Sequence, residues 1–346
     1  MGLIDEIHEQ PDSARRLIDR ARPTMTRISG TLRRHRPAFV VIAARGSSDH
    51  AAVYAQYLLG VRNSLPVALA TPSAITLYGG RPRFAGGLVV GISQSGQSPD
   101  IVAVIEEGRR QGVATLAITN EPDSPLARAA GDVIELHAGV ESATAASKTY
   151  TTELLAVALL SLALDEGSAV ERQALSRVAG WMEAALTAAP AAEAAAHELA
   201  GLARCIVLGR GYEYPTAREW ALKLTELAHV FALPFSAADF EHGPAALAEP
   251  DLDVLVIAPA GPPLDAQAAL LARLAERHAA RLTVISDTSA PLPVAARLLS
   301  LPPAVAGWLR PAVSIIPGQL FAYHLTRAKG LDPDTPRTIS KVTQTR

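Results

Sequence analysis

Apolar residues along this chain fall into short blocks separated by longer amphipathic stretches. Residues 38–43, 88–92 and 113–118 are apolar runs of five or six residues, too short for helices, which is the pattern of strands buried on both faces. Between and after them, 48–60 and 99–111 carry helical spacing. Such alternation predicts an α/β fold with parallel sheets flanked by helices, whose ligands bind beyond the carboxyl ends of the strands.

The pattern occurs twice. FVVIAARGSSDHAAVYAQYLL (39–59) matches IVLGRGYEYPTAREWALKLTE (206–226), and LVVGISQSG (88–96) matches VLVIAPAG (254–261). One offset, 165 residues, separates Arg45 from Arg210, Gly96 from Gly261 and Asp100 from Asp265. The expected blocks are a helical lead-in at 1–30, a first module at 31–170, an Ala-rich linker at 171–200 broken at Pro190, a second module at 201–331 and a polar tail at 332–346.

Composition narrows the setting. At 346 residues the chain can bury two cores, and 49% hydrophobic with 19% charged residues is globular rather than disordered. A net charge of −2 carries no footprint for nucleic acid. The single cysteine, Cys205, sits in an apolar run, so it reads as a buried small side chain in a reducing compartment. The N-terminus lacks an apolar signal core, and Leu154–Leu164 is too short to span a bilayer. A cytoplasmic protein without a membrane partner is expected.

The chemistry concentrates in a few places. Ser93-Gln94-Ser95-Gly96-Gln97-Ser98 joins the run 88–92 to a helix opened by Pro99, with Ser98 at the N-cap. Hydroxyls and free backbone N–H groups at a helix N-terminus suit a phosphate dianion, and a sugar phosphate fits the hydroxyl-rich turn. The same residues would serve an ordinary strand-to-helix connection. The second copy has Ala258-Pro259-Ala260-Gly261 at this point, so it has lost the hydroxyls. It has instead a helix with Glu219, Lys223 and Glu226 on one face, either a solvated stripe or a pocket lining. The expected division is one substrate site per chain, phosphate held by the first copy and chemistry supplied by the second. His242, beside Gly243-Pro244, suits proton transfer or is a satisfied loop residue. No zinc motif, P-loop or dinucleotide fingerprint is present, and no metal or cofactor is expected.

Taken together, EIHEQP (6–11), ARGSS (44–48), GISQSGQS (91–98), ASKTYTTE (146–153), LGRGYEYPTAREWALKLTEL (208–227), EHGP (241–244) and DPDTPRTISK (332–341) resemble the SIS (sugar isomerase) family. The resemblance is specifically to the isomerase half of glucosamine-6-phosphate synthase and to stand-alone two-SIS-domain deaminases. It implies two tandem flavodoxin-like SIS domains. It also implies that Ser47, Ser48, Ser93, Gln94, Ser95, Ser98, Ala146 and Ser340 contact a sugar phosphate. Glu226 would shuttle a proton between C1 and C2. His242, from the neighbouring subunit of a homodimer with shared sites, would assist ring opening. Lys341 would stand ready for a Schiff base, with Glu219 and Lys223 tuning the charge.

Arg45, Ala146 and Glu241 depart from the residues usual in the synthase, which leaves the substrate's identity open. No N-terminal cysteine is present to serve a glutaminase, so the expected reaction is hydrolytic: glucosamine 6-phosphate to fructose 6-phosphate and ammonia. The alternatives are a deglycase or isomerase of another 6-phosphorylated amino sugar or fructosamine, and a non-catalytic sugar-phosphate sensor.

Overall fold

The computed structural model describes residues 2–165, 167–287, 297–337 and 341. Ten strands lie among them: β1 (Phe39–Ala43), β2 (Val67–Leu69), β3 (Gly87–Ile92), β4 (Ala114–Thr119), β5 (Asp132–Glu135), β6 (Arg204–Gly209), β7 (Phe231–Ser236), β8 (Asp253–Ile257), β9 (Arg281–Asp287) and β10 (Arg297–Leu301). They form two parallel sheets, β2-β1-β3-β4-β5 and β10-β9-β8-β6-β7. Read from β7, the second sheet repeats the strand order of the first, as the 165-residue offset requires. Every residue of β3, β4 and β8 is buried, so both faces of each sheet are covered by helices. This is the tandem α/β architecture expected from the sequence.

The first sheet belongs to a compact unit made of Glu9–Glu141, Lys148–Arg177 and Lys341. Its order reverses between β1 and β3, the topological switch point beside which ligands bind in open α/β sheets. Ala43 pairs with Gly91, so the turns that leave β1 and β3 start side by side. The helix Lys148–Asp165 is buried on all sides over most of its length and packs along the helix Gln10–His35. Its first residue, Lys148, is 1% exposed, a position that requires a counter-charge: Nζ lies 2.6 Å from Glu9 Oε2.

The second sheet belongs to a unit of residues 2–8, Ser142–Ser147 and Val178–Arg337. Here the N-terminal helix Leu3–His8 ties down two remote segments. Leu3 N donates to Asp334 Oδ1 at 2.6 Å, and buried Glu6 accepts from Ser142 N at 2.5 Å and Ala143 N at 3.3 Å. The Ala-rich stretch breaks at Thr187–Ala188, and Pro190 falls in the first turn of the helix Ala189–Glu198, where its missing N–H costs nothing. No helix among the described residues is long and apolar enough to cross a membrane.

In this second unit the helix Tyr214–Ala228 crosses the helix Pro311–Ala328 at a point where Trp220 lies flat on a glycine. A Cβ added to Gly318 would stand 3.1 Å from the indole ring, and Trp220 meets Phe321 edge-on with centroids 5.7 Å apart. This closeness fixes the helix that carries the charged face. Gly318→Val is therefore expected to lower stability by about 1–3 kcal/mol through overpacking. Urea denaturation checks it, and a variant as stable as the parent would show that the crossing is not set by this contact.

Candidate functional site

The turn after β3 is built by its own backbone. Gly96 has φ +60, and an added Cβ would lie 2.1 Å from Ser124 Oγ, so only glycine fits. Ser93 Oγ accepts from Gly96 N at 3.1 Å, while the Gln94 carbonyl accepts from Asn120 N and Thr119 Oγ1, both at 3.1 Å. These bonds seat Ser93, Gln94, Ser95 and Ser98 at the mouth of the helix Pro99–Arg110.

Ser98 holds the N-cap position, yet its side chain makes no cap bond. The sequence expectation of a capping hydroxyl therefore needs refining. Of the helix's first groups, Pro99 has no N–H and Ile101 N is taken by Asp100 Oδ1 at 2.9 Å, so the Ser98 hydroxyl is the donor at this mouth that capping does not use. Ser47 begins the helix Ser47–Arg62 behind Gly46 (φ +56) in the neighbouring turn. Ser48 Oγ donates to buried Glu153 Oε1 at 2.8 Å.

Arg45, in the same turn, is fastened to Asp100 on the first turn of the helix Pro99–Arg110. Nε and Nη2 lie 2.9 and 2.8 Å from Oδ2. Lys341, expected in the tail, belongs to this unit as well. Its Nζ is 2.5 Å from Oε2 of Glu141, whose side chain is fully buried and also accepts from Thr149 Oγ1 at 2.7 Å and Thr149 N at 3.1 Å. Lys341 is thus anchored by a buried carboxylate. Ser340 lies outside the described residues.

The remaining expected residues lie in the other unit. Glu219 is 0% exposed, Lys223 2% and Glu226 17% at their side chains. Lys223 Nζ sits between the two acids, 3.1 Å from Glu219 Oε1 and 2.5 Å from Glu226 Oε1. Burial alone would push the lysine's pKa down, but the two carboxylates outweigh it and hold it above the ordinary value. The solvated-stripe alternative is thereby excluded, because Glu219 and Lys223 are buried and Glu226 is mostly covered. Glu226 is the most exposed of the three.

His242 is exposed, ending the short helix Ala237–Glu241, and Glu241 pairs with Arg273. Ala146 is half-buried in the segment Ser142–Ser147. The turn that replaces the serine turn in this unit is occupied by the protein itself: Arg310 Nη1 donates to the Ala260 carbonyl at 2.5 Å, and Ala260 N donates to Asp287 Oδ1 at 3.2 Å.

Three participants escaped the sequence reading: Glu141, Glu153 and Asp100. Each is a buried carboxylate whose partner lies 55 to 200 residues away, a relation no local spacing reveals.

The family model for the SIS domain matches residues 36–163 and 198–327. Among curated proteins, the glutamine–fructose-6-phosphate aminotransferase (isomerizing) of Gloeobacter violaceus is 33% identical over 98% of this chain and 58% of its own length. The enzyme of the same name from Legionella pneumophila (strain Paris) is 34% identical over 87% of this chain and 50% of its own. The chain thus spans about half the length of these relatives. Of solved structures, a Silicibacter pomeroyi protein assigned as a phosphosugar isomerase superposes with a TM-score of 0.86 at 30% identity, covering 96% of this chain and all of that one. The C-terminal domain of the Francisella tularensis glucosamine-fructose-6-phosphate aminotransferase gives 0.84 at 27%, covering 96% and 98%.

The buried trio makes a stability prediction. Lys223→Met strands Glu219 without a counter-charge and is expected to cost about 3–5 kcal/mol. Adding Glu219→Gln should recover most of that loss. Urea denaturation of both variants checks the pairing, and a double variant as unstable as the single one would contradict it.

Proposed function

The chain belongs to the SIS-domain family, with two copies in tandem, and on that footing we propose that it is an enzyme acting on amino-sugar phosphates. The reaction proposed is conversion of glucosamine 6-phosphate and water to fructose 6-phosphate and ammonia. The observation that carries this reading is the serine turn at the N-terminus of the helix Pro99–Arg110, whose Ser98 hydroxyl is not spent on capping. A phosphorylated ligand completes the donors left there.

In the proposed mechanism the phosphate is held by Ser47, Ser93, Gln94, Ser95 and Ser98. His242 of a neighbouring copy in a homodimer assists ring opening, exposing the C1 aldehyde. Glu226 carries the C2 proton to C1, and C2 is left as an imine that water hydrolyses to the ketone and ammonia. Lys223 Nζ, 2.5 Å from Oε1, holds the Glu226 carboxyl in place as the base. Lys341, docked on Glu141, supplies a cation or, after giving up its proton, an amine for the open-chain carbonyl.

A panel of 6-phosphorylated amino sugars and fructosamines, assayed for ammonia release, tests the substrate. Turnover of a fructosamine phosphate alone would replace the deaminase with a deglycase. Glu226→Gln is expected to cut turnover by about 10²–10⁴, with fructose 6-phosphate affinity by calorimetry nearly unchanged. Undiminished ammonia release would remove Glu226 from the mechanism. Mixing His242→Ala chains with Glu226→Gln chains should restore activity if sites are shared between subunits. A mixture as inactive as its components would show that they are not.

A further inference from the structure

We infer that Arg45 is a phosphate-binding residue of the serine cradle, held in place by Asp100 so that its guanidinium supplies a cationic donor to a turn that has no charged side chain of its own. This rests on the cradle proposed above. Arg45 leaves β1 beside the turn that leaves β3, and its guanidinium is docked on the second residue of the helix whose N-terminus that turn opens. Within 93–98 there is no charged side chain. A phosphate monoester carries close to two negative charges at neutral pH, and Arg is the side chain best matched to its oxygens.

The clamp leaves Arg45 able to act. Arginine has five N–H donors, and the pair with Asp100 engages only Nε and Nη2, both on the same oxygen. No other bond to the Arg45 side chain is found among the described residues, and that side chain is 49% exposed. Asp100 is buried, with its other oxygen accepting from Ile101 N at 2.9 Å. A carboxylate in the first turn of a helix is already stabilised by the helix dipole. The pair compensates the buried carboxylate and at the same time holds the half-exposed guanidinium still.

The second module supplies an internal comparison. Arg210 and Asp265 stand at the same 165-residue offset, in a sheet of the same strand order, yet no ion pair joins them among the described residues. There the serines are gone and the turn is filled by Arg310. The Arg–Asp clamp thus forms where the cradle persists and not where it has been lost. A clamp demanded by the fold would be present in both.

Isothermal titration of the full chain with fructose 6-phosphate and with inorganic phosphate tests the assignment on Arg45→Gln, Arg45→Lys and Asp100→Asn. Arg45→Gln is expected to weaken both ligands by the same factor, about ten- to a hundredfold, the loss of one charge-assisted hydrogen bond. Arg45→Lys should recover part of that, because a point charge lacks the guanidinium fork. Asp100→Asn, which keeps the guanidinium but not its clamp, should bind more tightly than Arg45→Gln.

Unchanged affinity in Arg45→Gln, or a loss in Asp100→Asn as large as in Arg45→Gln, overturns the assignment. So does a loss seen with the sugar phosphate but not with inorganic phosphate. Failure of the parent chain to bind either ligand would overturn the cradle itself, and the inference with it.

Discussion

Strands covered on both faces leave polar chemistry little room. Across β3 and β4 every side chain is buried, and each backbone donor and acceptor is committed to a neighbouring strand. Free donors reappear only where a strand ends and a helix begins, because the first N–H groups of a helix have no partner within it. The order of the first sheet directs the turns after β1 and β3 to the same edge. A serine turn occupies that position. Its Gly96 is pressed against Ser124 and its backbone is tied to Asn120 and Thr119, so the hydroxyls are held rather than free to wander.

The charged helix answers to a different constraint. An ammonium at 2% exposure cannot persist in a protein interior unless opposite charges compensate its lost hydration. Lys223 has two, and the trio as a whole carries one net negative charge. Glu219, the deeper acid, neutralises the lysine. Glu226 shares the same ammonium but keeps some access to solvent. That arrangement fixes the Glu226 carboxyl on one side and leaves it partly open to solvent on the other. Trp220 seated on Gly318 holds the helix in place.

Much of this was legible in the residues. The shared offset foretold two sheets of one topology, and the Ser-rich turn and the Glu219–Lys223–Glu226 spacing sat where the polar groups were found. Short edge strands were less visible. β2 is three residues long, and β7 contains Pro234, which is tolerated because β7 is an edge strand. Hidden as well were the partners: Glu141 for Lys341, Glu153 for Ser48, Asp100 for Arg45. A lysine in a polar tail and an acid two hundred residues earlier share no local pattern, and only the folded chain joins them. Ser98 shows the converse limit, since a residue ideal for capping was recognised while its unspent hydroxyl was not foreseeable.

The two copies have specialised by exchange. At the shared offset, Ser93 and Ser95 of the first correspond to Ala258 and Ala260 of the second, where Arg310 now fills the turn. Conversely, Glu219, Lys223 and Glu226 correspond to Tyr54, Leu58 and Val61 of the first copy. Tyr54 and Leu58 are core residues there. One module thus keeps a serine turn and an apolar helix, and the other keeps a charged helix and a turn bonded by Arg310. Had the first module kept the charged helix as well, the chain would bury two such sets of charges, at a desolvation cost incurred twice. Dividing the features keeps each core cheap to fold.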